Sequence, residues 1–236
     1  MSKRPFLLVH GAWHGAWCWQ EVADLLRTQG HRVLTPTLAG LGERADLLSS
    51  EITLDTHIAD IVDVSEREHL QHAVLVAHSY AGWPASGALE TIYERISTLV
   101  FLDAHLPQNG DRGIDSSNHQ KEIIADREAG KAGIDPPQAS EFTEKHTTWV
   151  QSMMTPHPIG VYLQPILLTG ARERIKHKVY MRTTGYHSPR FDACRNTARN
   201  NGWIVQDINC AHDMMIDEPE LLANILTTLA ATSLAA

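Results

Sequence analysis

The sequence is poor in cysteine, in cationic charge and in long apolar runs, and each shortage removes a class of function. Cys18, Cys194 and Cys210 are odd in number and form no CxxC pair, so neither a disulfide framework nor a thiolate metal or redox site is indicated. Reduced, mostly buried thiols in a cytoplasmic protein are expected. Lysine and arginine number 20 against 28 aspartates and glutamates, a formal net charge of −8. With no clustered basic segment, nucleic acid and anionic membrane surfaces are disfavoured as partners. The apolar run Phe6 to Val9 is too short for a signal-peptide core or a membrane span. Small molecules remain, with a homodimer as an open assembly state.

What is present is apolar content of 43% over 236 residues, enough to bury one core without a second domain. A single domain over 1–236 is expected. Short β-branched or leucine-rich runs at Phe6 to Val9, Arg32 to Thr35, Val74 to Ala77, Thr98 to Leu102, Lys178 to Arg182 and Trp203 to Ile208 read as buried strands of a parallel sheet. Helical spacing separates them, as in Val22, Leu25 and Leu26, in Ile58, Ile61 and Val62, and in Leu221, Leu222, Ile225 and Leu226. This alternation predicts an α/β fold with a mostly parallel, doubly wound sheet. It breaks between Leu102 and Lys178, a stretch too long for a structureless loop. Residues 106–163 are therefore expected to be an inserted, partly helical lid, with helix around Glu141 to Met154.

Three segments carry chemistry. Ala77-His78-Ser79-Tyr80-Ala81-Gly82 follows a strand-like run and precedes the helix-compatible Ala85 to Tyr93. A serine hydroxyl becomes a useful nucleophile when a tight turn presents it and a base lies beside it. Small residues two before and two after Ser79 permit such a turn, although both are alanine where the G-x-S-x-G pattern has glycine. An ordinary strand-to-helix turn is the alternative. His10-Gly11-Ala12-Trp13-His14-Gly15 follows the first strand, and a glycine-containing turn there lets backbone N–H groups approach a developing oxyanion. The N–H groups of Ala12 and Tyr80 are assigned to that task, against the alternative of a merely tight loop. Cys210-Ala211-His212-Asp213 follows the last strand, where a histidine can reach back to Ser79 at the same edge of the sheet. Its place in the order serine, acid, histidine singles out His212 among fourteen histidines.

The runs from His10 to Trp19, the Ser79 segment and Ala211 to Pro219 resemble bacterial α/β-hydrolases related to plant methylesterases and hydroxynitrile lyases. The resemblance implies an α/β-hydrolase fold and a serine esterase with a small helical cap and no metal or organic cofactor. Relatives place an acidic residue after the penultimate strand, but Tyr180 to Tyr186 contains none. Asp103, at the end of the strand after the Ser79 helix, resembles the acid position of pancreatic-type lipases and is the favoured partner for His212. Asp192 is the runner-up, although it reads as a helix-start residue. Related lyases carry threonine and lysine where this chain has Gly11 and Asp213, which disfavours cyanohydrin cleavage.

His10 and His14 have four-residue spacing but span a strand-to-loop junction, so pocket or structural roles are expected rather than metal binding. Gly40-Leu41-Gly42 lacks the third glycine of a dinucleotide loop. Trp13, His14, Trp149, Met153 and Tyr162 are expected to line the substrate pocket, with ordinary packing as the alternative. The expected reaction is cleavage of a small carboxylic ester through an acyl-enzyme on Ser79. Carbamate, amide or lactone hydrolysis uses the same groups, and a ligand-binding receptor would not need them together.

Overall fold

The computed structural model describes residues 3–117 and 120–232. The outer ends of the expected 1–236 domain, and positions 118–119 of the expected 106–163 insertion, lie outside them. In chain order the strands are β1 (Phe6–Val9), β2 (Val33–Leu34), β3 (Ala73–His78), β4 (Ile96–Leu102), β5 (Gly133–Ile134), β6 (His157–Pro158), β7 (His177–Thr183) and β8 (Ile204–Ile208). β5 and β6 pair antiparallel by themselves. The other six form one sheet in the order β2-β1-β3-β4-β7-β8, and every neighbouring pair in it is parallel.

Continuous apolar sequence explains the centre of this sheet. Every residue of β1 and β3 is buried, as expected for parallel strands covered on both faces. The covering helices are α1 (Gln20–Thr28), α2 (Leu54–Arg67), α3 (Gly82–Ile92), α6 (Pro189–Asn200) and α8 (Pro219–Thr232). α1 turns Val22, Ala23 and Leu26 inward. α2 begins at a capping box between Thr53 and Thr56. At the start of α6, Pro189 fits the first helical position and the Ser188 side chain accepts the N–H of Phe191. α3 is buried around nearly its whole circumference, which suits a sequence of apolar and small residues such as Ala85, Ser86, Gly87 and Ala88.

Each of the six expected strands is present, with bounds moved by a residue or two; Arg32 to Thr35 contracts to Val33–Leu34, and Trp203 precedes β8. Between β4 and β7 lie α4 (Gln120–Glu128), the β5–β6 pair and α5 (Thr147–Met153). Ile114, Ile123, Ile134 and Ile159 bury a small core of their own there. The helix expected from Glu141 to Met154 is shortened because Asp217 captures the preceding turn. Its carboxylate accepts N–H groups from Glu144 and Lys145, both at 2.9 Å, and the hydroxyl of Thr143. Tertiary hydrogen bonds thus replace the helical ones. α7 (Met214–Asp217) presents that carboxylate. No described helix is long and apolar enough to cross a membrane.

Candidate active site

The carboxyl ends of β1, β3, β4 and β8 bring four loops to one edge of the sheet, the position where parallel α/β folds bind ligands. Ser79 follows β3 directly and has a left-handed backbone, φ 54°. For a non-glycine residue this costs on the order of 1–3 kcal/mol and needs surrounding structure to hold it. Here the Ser79 carbonyl accepts the N–H of His105 at 3.0 Å. Gly82 allows the approach, because a Cβ there would lie 1.9 Å from the His105 carbonyl oxygen. The close contact expected beside the serine therefore falls at Gly82, and alanine is accommodated at positions 77 and 81.

Asp103 follows β4, is fully buried and also has a left-handed backbone, φ 43°. Its Oδ2 lies 2.6 Å from Nδ1 of His212. Its Oδ1 accepts Nη1 of Arg182 at 3.0 Å and the N–H of Thr183 at 3.2 Å. Arg182, at the end of β7, is 2% exposed and also reaches Asp192 Oδ1 at 2.9 Å. Asp192 is thus three links from His212, with its side chain 41% exposed. With Nδ1 of His212 donating to Asp103, its Nε2 is left to accept a proton. The carbonyl of His212 takes a further bond from Nε2 of His78 at 3.2 Å.

Ser79 and His212 line the same cleft, about 250 Å³ in volume, with Ala12, Trp13, Tyr80 and Tyr162 on its walls. Phe142, Tyr186 and Phe191 add aromatic faces, and Phe191 stacks on His212 at 5.3 Å between ring centroids. Tyr80 is the residue after Ser79, at the start of a helical run, where N–H groups have no partner from a preceding turn. Ala12 lies in the turn after β1, whose Gly11 passes so close to the serine that a Cβ would be 3.0 Å from that of Ser79.

Of the expected pocket residues, Trp149 and Met153 are placed elsewhere, and His14 borders only a narrow recess that Ser79 and His212 also line. His14 is 2% exposed behind the loop, with Nδ1 on the Ala12 carbonyl at 2.7 Å and Nε2 on Asp213 at 3.1 Å; both nitrogens face the protein rather than the cleft. Trp149 is 45% exposed and packs edge-on to Trp17 across a separate groove against α1. Met153 is half-exposed on α5 and is not among the cleft-lining residues. The shortened α5 carries both residues away from the cleft. Trp13 and Tyr162 remain on its wall.

Sequence reasoning missed Arg182 and the buried Asp213. A cation directly after the apolar run Val179 to Met181 was the available signal for Arg182, since arginine is rarely buried without a partner. Among the described residues, His78, His212 and Asp213 place potential metal ligands within 4.8 Å of one another. His212 Nδ1 is bonded to Asp103, Asp213 Oδ2 to His14 and His78 Nε2 to the His212 carbonyl, whereas Nδ1 of His78 and Oδ1 of Asp213 are buried without a hydrogen-bond partner among the described residues. The three cysteines are free, Cys18 buried and the other two half-buried.

The alpha/beta hydrolase family profile matches residues 6–225. A carbendazim hydrolyzing esterase of Nocardioides sp. (strain SG-4G) is 36% identical over 95% of this chain and 98% of its own. Methyl jasmonate esterase 1 of Vitis vinifera is 40% identical over 44% of this chain and 41% of its own. A solved structure of an extracellular alpha/beta-hydrolase from a Paenibacillus species superposes with a TM-score of 0.84, covering 96% of this chain and 98% of the other at 22% identity. That last finding corrects the expected cytoplasmic location. A fold of this size buries a core large enough to stand without disulfides, so scarce cysteine does not assign a compartment. The chain belongs to the alpha/beta hydrolase family.

Proposed function

We propose that this esterase-type hydrolase of small carboxylic esters works through Ser79, His212 and Asp103. The observation that carries the proposal is the 2.6 Å bond between His212 Nδ1 and Asp103 Oδ2, made by a histidine that shares a cleft with the strained Ser79. Asp103 fixes the ring and its tautomer, so that Nε2 can take the proton of Ser79 as its oxygen attacks the acyl carbon. The N–H groups of Ala12 and Tyr80 bind the oxyanion of the tetrahedral intermediate. His212 then gives its proton to the departing alcohol. Water repeats the sequence on the acyl-enzyme and releases the acid.

The aromatic faces of the cleft favour a flat apolar group on the substrate, with the reacting carbonyl turned toward Ser79. Residues 106–163 act as the lid, since Gly113, Phe142 and Tyr162 from this stretch line the cleft. A second reading, carbamate hydrolysis by the same groups, draws on the full-length similarity to the carbendazim hydrolyzing esterase; carbendazim belongs in the first substrate screen beside aryl and alkyl esters, amides and lactones. The assembly proposed is a homodimer, to be checked by light scattering. Ser79→Ala is expected to lower turnover by roughly six orders of magnitude with the fold intact, and an active-site phosphonate is expected to label Ser79 stoichiometrically. Substantial esterase activity in purified Ser79→Ala would overturn the mechanism.

A further inference from the structure

Two histidines behind the cleft grip successive peptide units of the loop after β1, and their hydrogen-bond partners differ in kind. His10 is fully buried, with Nδ1 2.8 Å from the Gly11 carbonyl and Nε2 accepting the N–H of Leu38 at 3.1 Å. One nitrogen must carry a proton and the other must be bare, so His10 is neutral. Burial agrees, holding its pKa at about 3. The carbonyl that it grips belongs to the same peptide unit as the N–H of Ala12.

His14 has acceptors on both sides. Nδ1 lies 2.7 Å from the Ala12 carbonyl, and Nε2 lies 3.1 Å from Oδ2 of the fully buried Asp213. A neutral imidazole has one N–H and would turn a lone pair toward one of these oxygens, whereas an imidazolium satisfies both. We propose that His14 is a positioning residue, a buried imidazolium locked to Asp213 that couples the oxyanion loop to the loop carrying His212. The proposal rests on the reading of Ala12 as an oxyanion donor.

The coupling follows from what Asp213 holds. Its N–H donates to the Phe142 carbonyl at 2.9 Å, and the peptide that joins it to His212 is fixed by His78 through the His212 carbonyl. A shift of the His14–Asp213 pair would move the Ala12 turn and the His212 loop together. The imidazolium also places positive charge behind the turn that faces the developing oxyanion, in a site of low dielectric.

The surroundings leave the charge balance to this pair. His78, 3.8 Å from Asp213 Oδ1, and His10 and His157 across the loop are all held neutral by burial. Burial also raises the Cys18 thiol, with the Asp213 charge adding to it. Trp17 stacks on His14 at 5.0 Å and Phe142 meets it edge-on at 6.4 Å. His212 faces Asp213 from the preceding residue and is bonded to Asp103. Although burial disfavours the charged ring, the Asp213 charge and hydrogen bond outweigh it and raise the His14 pKa, while Asp213 itself is held well below the usual carboxylate range.

Nitrogen NMR of histidine-labelled protein tests the charge directly, with His14 assigned by its loss in His14→Gln. Both ring nitrogens are expected at imidazolium shifts through neutral pH; one at the bare-nitrogen shift would overturn the proposal. In kinetics, His14→Gln is expected to lower kcat by about a hundredfold with KM little changed, the size of effect expected from a small misplacement of reacting groups. A group with a raised pKa contributes while it is protonated, and its contribution is lost as pH rises through the folded value. The kcat profile should therefore have an alkaline limb that moves to lower pH in Asp213→Asn. Unchanged kcat in a folded His14→Gln, or an unmoved limb in Asp213→Asn, would overturn the coupling. Where His14→Gln does not fold, a titration of His14 in wild type against the same limb decides. An imidazolium His14 in a protein whose Ser79 resists phosphonate would instead overturn the reading of the cleft on which the coupling rests.

Discussion

Arg182 grips Asp103 by one carboxylate oxygen, Nη1 to Oδ1 at 3.0 Å, and leaves the other for the imidazole of His212. Both partners are essentially buried, 2% and 0% exposed at the side chain. The cation offsets the cost of burying the carboxylate, and together with the N–H of Thr183 it occupies Oδ1 so that Oδ2 is presented to His212.

Removing that cation leaves a buried charge without its main partner. Arg182→Met is therefore expected to destabilise the fold by about 3 kcal/mol. The loss of orientation at Asp103 should lower kcat by roughly ten- to a hundredfold. Urea unfolding and steady-state kinetics on the same preparation check both numbers. A variant as stable and as active as wild type would show that Thr183 and His212 alone suffice to hold the carboxylate.

The two aspartates on Arg182 should behave very differently. Asp103→Asn keeps the shape but offers His212 the wrong hydrogen-bonding pattern, and a loss of roughly ten-thousand-fold in kcat is expected. Asp192 meets Arg182 at a half-exposed position. Solvent screens that pair, so Asp192→Asn should cost less than about 1 kcal/mol of stability and leave turnover close to wild type. Kinetics of the two variants side by side decide the assignment, and a crippled Asp192→Asn would reverse it.

The contrast between these aspartates shows what sequence could and could not convey. Strand runs such as Phe6 to Val9 were readable because parallel strands buried on both faces need continuous apolar sequence. The order Ser79, Asp103, His212 was readable because each follows a strand, and strand ends gather at one edge. Arg182 was not, since its partner depends on which strands are neighbours, and neither was the His14–Asp213 pair, which joins loops after β1 and β8, strands that do not touch in the sheet. Asp103 and Arg182 are 79 residues apart and meet only because β4 lies beside β7. Trp149 failed as a pocket residue for a related reason. Aromatic character marks a residue that wants burial, but the turn captured by Asp217 decides which way α5 points.

Acid should destabilise this protein through its buried neutral histidines. His57 is fully buried, with Nε2 on the Ala39 carbonyl and Nδ1 on the Tyr80 hydroxyl, each at 2.9 Å. Burial lowers its pKa to about 4. The unfolded chain binds a proton on this ring below about pH 6.5 that the folded chain refuses. Stability is thus fully present above that value and falls as pH drops toward the folded pKa, by about 2 kcal/mol at about pH 5 for this residue alone. His57→Gln retains a donor and an acceptor but cannot titrate. Urea unfolding at neutral and mildly acidic pH should show a smaller difference in the variant, and an unchanged difference would remove His57 from the account.

The packing of the serine turn yields the sharpest steric test. A methyl group at Gly82 would sit 1.9 Å from the backbone oxygen of His105 and 2.9 Å from its carbonyl carbon, and neither can swing aside as a flexible side chain would. His105 lies two residues beyond Asp103, so relief of the clash must separate the Ser79 turn from the segment that supports His212. Gly82→Ala should therefore cost about 1–3 kcal/mol, the usual range for forced overpacking, and slow phosphonate labelling of Ser79 by at least about a hundredfold. At Gly11 the added group would meet Ser79 Cβ and His78 Nδ1, both at 3.0 Å, a distance that small shifts can relieve. Gly11→Ala should consequently fold nearly as well as wild type yet lose turnover, because the shift occurs in the turn that presents the Ala12 N–H. If the ranking is reversed, with Gly82→Ala active and Gly11→Ala unfolded, the serine turn is not held by the contact with His105.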